Sequence, residues 1–180
     1  IYFARANILH KEQNYKDSSM YLKLANNLKL DLKPTKPEVI FNKSKILLIE
    51  SNKQDINLEK DTNFPESIFI VGMFRSGSTL LESILSMRTD VYDLGESDFL
   101  EKSFFESRQS KKEINLSHLY WKKLNNKTKL NITTNKNLSN YQFTGIIAKN
   151  IPNAKIIHCF RHPLDNICLL YTSDAADDAN

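Results

Sequence analysis

The chain has 180 residues, of which 41% are hydrophobic and 26% are charged. This composition can bury a core and excludes an intrinsically disordered chain, and the length suits one ordinary domain with an appendage. The formal net charge of +4 fits an anionic ligand. Without a basic cluster among aromatic residues, it is too small to indicate nucleic-acid binding.

Targeting signals and metal-binding patterns are not visible in the sequence. No apolar run approaches the ~18 residues of a membrane span, and no signal peptide is recognisable. Cys159 and Cys168 lack the spacing of a disulfide framework or a metal site. The sequence therefore predicts a cytoplasmic protein that binds neither a membrane nor a metal.

The first 30 residues predict two helices joined by a turn. Helical spacing gives each helix one face of apolar or small residues: Ala6 and Leu9 on the first, and Ser18, Leu22, Ala25 and Leu28 on the second, with Tyr15 near the turn. This pattern resembles one tetratricopeptide repeat, although Gln13 and Leu30 stand where glycine and proline are usual. Because one repeat cannot bury its own face, the resemblance implies further repeats upstream. An ordinary helical hairpin packed on the next domain is the alternative.

Residues 31–67 are predicted to be a helical and irregular connector. Pro34 and Pro37 end the preceding helix. The segment "EVIFNKSKILLIES" is compatible with a further helix, whereas "NKQDINLEKDTNFPE" is polar and irregular.

From residue 68 onward, short apolar runs alternate with helical patterns. The runs predict strands near 68–72, 130–134 and 155–160, with a short strand and a turn at Gly95 between the first two. In the helix after the first strand, the residues expected to pack on the sheet are Leu80, Leu81, Ile84 and Leu85. The alternation predicts an α/β domain, a three-layer sandwich around a central parallel sheet.

The segment "GMFRSGST" after the first strand has the spacing of a phosphate-binding loop. A strand, a glycine-rich turn and a helix N-terminus aim backbone N–H groups and the helix dipole at one point, where phosphate binds. Ser78 stands where a nucleotide-hydrolysing enzyme has lysine, and Arg75 lies inside the loop. The later strand "KIIHCF" leads to Arg161 rather than to the aspartate that helps to hold Mg²⁺. Two arginines without a metal carboxylate predict direct binding of a multiply charged anion.

The segments "PESIFIVGMFRSGSTLLESILS" and "AKIIHCFRHPLDN" resemble the 5′-phosphosulfate loop and the 3′-phosphate strand of the sulfotransferase superfamily. The resemblance implies a P-loop-like α/β fold and the donor 3′-phosphoadenosine-5′-phosphosulfate (PAPS), with no metal. With the N-terminal hairpin, the chain is similar over roughly residues 1–167 to bacterial tetratricopeptide-repeat sulfotransferases, akin to tyrosylprotein sulfotransferases. An acceptor of unknown identity and a protein partner at the repeats are also implied.

The resemblance also implies roles for individual residues. Arg75 would contact the sulfate and 5′-phosphate, and Arg161 the 3′-phosphate. Glu96, in "LGESDFL", would be the catalytic base, and Lys136, in "TTNKNLSNY", would lie near the reacting sulfate. The phosphate cradle would consist of Ser76, Gly77, Ser78 and Thr79. Departures from the family pattern are Phe74 for proline, Asn135 for aspartate and Leu169 for serine.

The sequence ends in "CLLYTSDAADDAN", whose second half is an alanine- and aspartate-rich run that differs in composition from the rest and resembles a translated sequencing adapter. Residues 168–180 are therefore expected to be a non-native tail, and 68–167 the N-terminal part of a sulfotransferase domain that is poorly active or inactive alone. A native acidic tail is the alternative. Two other functions remain open: a tetratricopeptide interaction module with a vestigial P-loop domain, and a metal-dependent P-loop kinase or NTPase.

Overall fold

The computed structural model describes residues 1–34, 36–53, 65–109, 114–129 and 131–177, with side chains up to residue 170. The helices in these ranges are α1 (Tyr2–Lys11), α2 (Tyr15–Leu32), α3 (Pro37–Lys53), α4 (Ser78–Leu85), α5 (Phe99–Gln109), α6 (Leu116–Asn125), α7 (Thr144–Asn150) and α8 (Pro163–Asp177). The strands are β1 (Glu66–Gly72), β2 (Val91–Asp93), β3 (Ile132–Asn135) and β4 (Ala154–Cys159), and a 3₁₀ helix spans Leu138–Phe143. The chain divides into two compact units, one of Ile1–Phe41 with Pro163–Asn180 and one of Asn42–His162.

The N-terminal hairpin forms as the sequence predicts. Asn14 caps α2 by accepting a hydrogen bond from the Asp17 amide. Small residues let the helices approach closely, since the Ser18 hydroxyl donates to the carbonyl of Ala6 at 2.9 Å. The expectation that Leu28 lies on the packed face is wrong, because its side chain is 47% exposed. The assignment of the hairpin to a tetratricopeptide repeat stays a prediction.

The connector contains the helix that its sequence suggests. After α2 ends at Leu32, α3 begins at Pro37, where proline fits because the first helical N–H needs no partner. The polar segment that follows α3 lies almost wholly outside the described residues.

The second unit is built on a four-stranded parallel sheet with the order β2-β3-β1-β4. The central strand β1 pairs with β3 from Glu66↔Ile132 to Phe69↔Asn135, and with β4 from Ser67↔Ala154 to Gly72↔Cys159. Burial of β1 from Ser67 to Val71 follows from its central position. The predicted strands and the parallel α/β sheet are confirmed.

Helices cover both faces of the sheet. Successive strand residues point to opposite faces. The Ser67 hydroxyl lies 2.9 Å from the hydroxyl of Thr133 on β3 and 3.5 Å from the hydroxyl of Tyr120 on α6. The next residue of β3, Thr134, donates to Glu82 of α4 at 3.0 Å. Since α6 and α4 lie on opposite faces, the unit is a three-layer sandwich.

The hydrophobic core lies on the α6 face of the sheet. Its centre is Phe69, which is fully buried and packs against the ring of Tyr120. The other members come from the surrounding helices: Leu47, Leu100, Phe104, Leu116, Trp121, Leu124, Phe143, Ile146, Ile147 and Ile151. Burial of these side chains anchors the strand from which the candidate site emerges.

The predicted packing face of α4 is wrong in part. Leu80 and Ile84 are 67% and 54% exposed, whereas Ser78 and Glu82 are buried. Strand β4 is likewise only partly covered, with Lys155, Ile156 and His158 exposed. Among the described residues β4 pairs with β1 alone, so one side of this apolar strand remains accessible.

Helix α8 runs through the first ten residues of the predicted tail, from 168 to 177. Native and non-native residues can both form a helix, so the helix does not test whether residues 168–180 are a non-native tail. That assignment stays a prediction. Within the described part of the chain, no helix combines the length and apolar character needed to cross a membrane.

Candidate functional site

The loop between β1 and α4 has an unusual backbone. Arg75 has a φ of 63° and Gly77, the N-cap of α4, a φ of 88°. The Ser76 hydroxyl fixes the turn by donating to the Met73 carbonyl at 2.7 Å. A non-glycine residue in the left-handed region costs about 1–3 kcal/mol and is concentrated at functional sites. The loop therefore has the backbone form and position of an anion cradle.

Gly72 is required where the loop begins. It lies opposite Cys159 in the β1–β4 ladder, and a Cβ at this position would lie 2.3 Å from the Cys159 carbonyl oxygen. The ends of β1 and β4 thus approach more closely than any side chain permits. This approach brings the segment after β4 beside the loop.

Arg161 follows β4 and reaches the loop. Its Nη1 donates to the carbonyl of Arg75 at 3.1 Å, and both residues are exposed. The sequence predicts these two arginines at the same carboxyl edge of the sheet, and the structure confirms that placement. Two arginines beside one helix N-terminus make this edge of the sheet attractive to phosphate and sulfate.

Glu96 and Lys136 form an ion pair at the same edge of the sheet. Lys136 Nζ donates to Glu96 Oε1 at 2.7 Å, with side-chain exposures of 9% for the lysine and 65% for the glutamate. The lysine directly follows β3, and the glutamate lies three residues after β2. A buried ammonium beside an accessible carboxylate can stabilise developing negative charge while the carboxylate accepts a proton.

The strand order arranges these groups in a row. Glu96, Lys136, Arg75 and Arg161 follow β2, β3, β1 and β4, which is also the order of the strands across the sheet. Neighbouring strands lie about 4.8 Å apart, so the row spans roughly 14 Å. One end therefore carries an acid–base pair, the centre an anion cradle and the other end a second arginine.

The remaining cradle residues differ in accessibility. Ser78 is buried at the start of α4, Ser76 is half-buried, and Gly77 and Thr79 are exposed. The Thr79 carbonyl accepts a hydrogen bond from Ser83 within the helix. Residues 76–79 thus lie at the N-terminus of α4.

Asn135, the residue that departs from the family's aspartate, supports the segment around Lys136. Its side chain is buried and donates to Ser97 Oγ at 3.0 Å. The side-chain oxygen of Asn135, Oδ1, accepts hydrogen bonds from the backbone amide of Asn137 and from Asn140 Nδ2, each at 3.1 Å. These bonds connect the segments that contain Glu96 and Lys136.

Strand β4 leads to Arg161 as predicted, but a different strand has a carboxylate at its end. That strand is β2, which ends at Asp93. The Asp93 carboxylate accepts a hydrogen bond from the Gly95 amide at 2.6 Å. Asp93 therefore takes part in the turn that carries Glu96. Within the described ranges, no group of three or more His, Cys, Asp or Glu side chains is arranged to hold a metal ion.

Glu82 is a residue that the sequence interpretation missed. It is 3% exposed on the inner face of α4 and accepts a hydrogen bond from Thr134. Burial raises the pKa of the Glu82 carboxyl from 4.5 to about 7; the Thr134 bond lowers it and the neighbouring Asp93 raises it. A glutamate among leucines in an amphipathic helix gives no signal of this environment, because glutamates usually face solvent.

Comparisons with known proteins identify one family. A family model described as "Sulfotransferase family" matches residues 65–131 and 112–180. These ranges include the loop, both arginines and the Glu96–Lys136 pair. Searches of curated proteins and of solved structures each give no significant match.

Proposed function

Because the chain belongs to the sulfotransferase family, we propose that it transfers a sulfuryl group from PAPS to the hydroxyl of an acceptor. The observation that carries this proposal is the row of Glu96, Lys136, Arg75 and Arg161 along one edge of the sheet. PAPS has anionic groups at two separated positions, and the row offers a cation-rich cradle and a second arginine.

The donor-binding residues follow from this row. The backbone amides and hydroxyls of residues 76–79, with Arg75, would hold the 5′-phosphosulfate at the N-terminus of α4. Arg161 would bind the 3′-phosphate through charge-assisted hydrogen bonds. The open space around Gly77, where a Cβ would have no neighbour within 4 Å, supports access of an anion to the cradle.

In the transfer step, an acceptor oxygen forms a bond to sulfur as the bond from sulfur to the 5′-phosphate oxygen breaks. Glu96 takes the acceptor proton, a contribution of about 10²–10⁴ in rate. Lys136 and Arg75 stabilise the charge that develops on the leaving phosphate. The products are a sulfate ester and 3′,5′-adenosine bisphosphate. This scheme assigns no step to a metal.

The finer assignment follows the sequence resemblance. We propose a cytoplasmic enzyme of the tyrosylprotein-sulfotransferase-like branch, in which α1 and α2 form a tetratricopeptide repeat that contacts a protein partner. The close packing of Ala6 on Ser18 supports the repeat assignment. The acceptor is identified only as a molecule with a free hydroxyl group.

The decisive experiment measures donor binding and transfer together. Binding of 3′,5′-adenosine bisphosphate by calorimetry, and transfer of radiolabelled sulfate from PAPS to a panel of hydroxyl acceptors, are both expected in the presence of a metal chelator. Strict dependence of both on Mg²⁺ would contradict the assignment and favour a P-loop kinase. Binding of a peptide without any affinity for the bisphosphate would favour an interaction module.

A further inference from the structure

Two carboxyl groups outside the proposed chemistry lie near the turn that carries Glu96. Glu82 projects from the buried face of α4 and accepts a hydrogen bond from Thr134, the residue that lies opposite Asp93 in the β2–β3 register. The carboxyl of Asp93 therefore lies on the same face of the sheet, within hydrogen-bonding reach of Glu82. Thr134 donates to Oε1 of Glu82, which leaves Oε2 available for a proton. Burial and the neighbouring Asp93 charge both favour the protonated form of Glu82, which can donate a hydrogen bond to Asp93.

This pair is directly connected to the turn that carries Glu96. Asp93 Oδ1 accepts the Gly95 amide at 2.6 Å, and Gly95 has a φ of 57°. The Gly95 carbonyl accepts from the Lys136 amide at 2.8 Å, and the Leu94 amide donates to Thr134. The orientation of the turn thus depends on the Asp93 carboxylate, which Glu82 in turn contacts.

We propose that the carboxyl group of Glu82 donates a hydrogen bond to Asp93, and that this contact holds the Gly95–Glu96 turn in its catalytic position. Glu82 is then a positioning residue, acting on Glu96 through Asp93 and Gly95. Its role in catalysis rests on the proposed sulfotransferase function, whereas its hydrogen bond to Asp93 and the effect of that bond on the turn do not.

The charged groups near Glu82 explain how its protonation changes the position of the Gly95–Glu96 turn. They are Asp93 on β2 and Lys136 after β3, and Lys136 also binds Glu96. While Glu82 keeps its proton, it donates to Asp93, and Lys136 stays with Glu96. When Glu82 loses the proton, it repels Asp93 and competes with Glu96 for the ammonium group of Lys136. Both changes displace the turn.

The direct test follows the Gly95 amide by nuclear magnetic resonance of the full chain. The sequence has four glycines, so their amide signals are easily assigned, with Gly95→Ala identifying the one of interest. Over about pH 5 to 9, the Gly95 shift should titrate with a midpoint near the Glu82 pKa of about 7. The titration should vanish in Glu82→Gln and persist in the surface control Glu12→Gln.

A second variant keeps the test decisive if Glu82→Gln does not fold. In Asp93→Asn the side-chain oxygen can still accept the Gly95 amide, but the new amide group donates to Glu82 and favours its ionised form. The midpoint should therefore move to lower pH. An invariant Gly95 shift in the wild type, or an unchanged midpoint in either variant, would overturn the proposal.

The pH dependence of kcat tests whether Glu82 positions Glu96. Wild-type kcat should fall about ten- to a hundredfold above the midpoint, the cost of a misplaced catalytic group. Glu82→Gln should lack this alkaline loss, whereas Glu82→Ala should be slow at every pH; affinity for the bisphosphate should change far less than kcat in both. An alkaline loss that persists in Glu82→Gln would contradict positioning. A wild type that neither binds the bisphosphate nor transfers sulfate would refute the proposed function, while the Gly95 titration would still decide whether Glu82 acts on the turn.

Discussion

Arg75 and Arg161 approach the same anion from different strands, yet their losses should have different effects. Arg75→Ala is expected to lower the transfer rate by at least ~10²–10³, since it removes a donor to the developing charge. Arg161→Ala should mainly weaken bisphosphate binding, by about ten- to a hundredfold, the value of one or two charge-assisted hydrogen bonds. Kinetics and calorimetry measure the two effects separately.

The matched control for both arginines is Arg88→Ala. Arg88 is an exposed arginine paired with Asp90 and lies away from the row of site residues. Its loss should change neither binding nor rate. Equal effects from all three substitutions would indicate general electrostatic attraction rather than a defined site.

Glu96 is solvent-accessible and is held in place by its ion pair with Lys136. Both properties suit a catalytic base, which must be reached by the hydroxyl of the acceptor. Glu96→Gln keeps the size of the side chain and removes its basicity, so kcat should fall by about 10²–10⁴ while bisphosphate affinity is retained. Rapid-quench measurement of the transfer step tests this separation. Full turnover by Glu96→Gln would remove Glu96 as the base.

Between elements, α3 packs closely against α7 at Gly145. A Cβ added at Gly145 would lie 2.2 Å from Ser51 Oγ and 3.0 Å from its Cβ. Gly145→Ala should therefore destabilise the protein by about 1–3 kcal/mol, despite the better helix propensity of alanine. Urea unfolding monitored by circular dichroism measures this loss.

The partner substitution provides the control for that prediction. Ser51→Gly removes the atoms that an alanine at 145 would strike. The double variant Ser51→Gly/Gly145→Ala should therefore be more stable than the sum of the two single changes implies. Simple additivity would show that α3 and α7 move apart to absorb the methyl group.

The elements that the sequence predicts correctly are those with unambiguous local signals. The continuous apolar run 68–71 and the glycine spacing of the loop define β1 and the start of α4, and alternating runs give β3 and β4. Because parallel strands end at one edge, the proximity of Arg75 to Arg161 also follows.

The errors arise where the partner of a helix face is unknown. The hydrophobic pattern of α4 predicts that its leucines and Ile84 pack on the sheet. Thr134 of the sheet faces the helix, however, and its hydroxyl favours the polar Glu82 on the buried face of α4. Leu28 is similarly exposed because the buried face of α2 is set by Ser18 and Ala25. The pairing of Glu82 with Asp93 depends on strand order, which no local pattern contains.

At the scale of the molecule, Glu82 makes stability depend on pH. Its carboxyl pKa is raised from 4.5 to about 7 in the folded chain, chiefly by burial. The stability that its proton contributes is fully present below about pH 4.5 and is lost as the pH rises through about 7. Thermal melts should therefore show a wild-type Tm that declines across this window relative to the Tm of Glu82→Gln. A constant difference between the two proteins would contradict a raised pKa.

The single tryptophan of the sequence has a further consequence. Trp121 is buried in the core of the second unit, edge-to-face with Tyr120. Its fluorescence emission therefore reports the opening of the sheet-containing unit alone, whereas far-ultraviolet dichroism sums the helices of both units. Superimposable unfolding curves from the two signals would identify one cooperative transition. Separated curves would give the stability of each unit without dividing the chain.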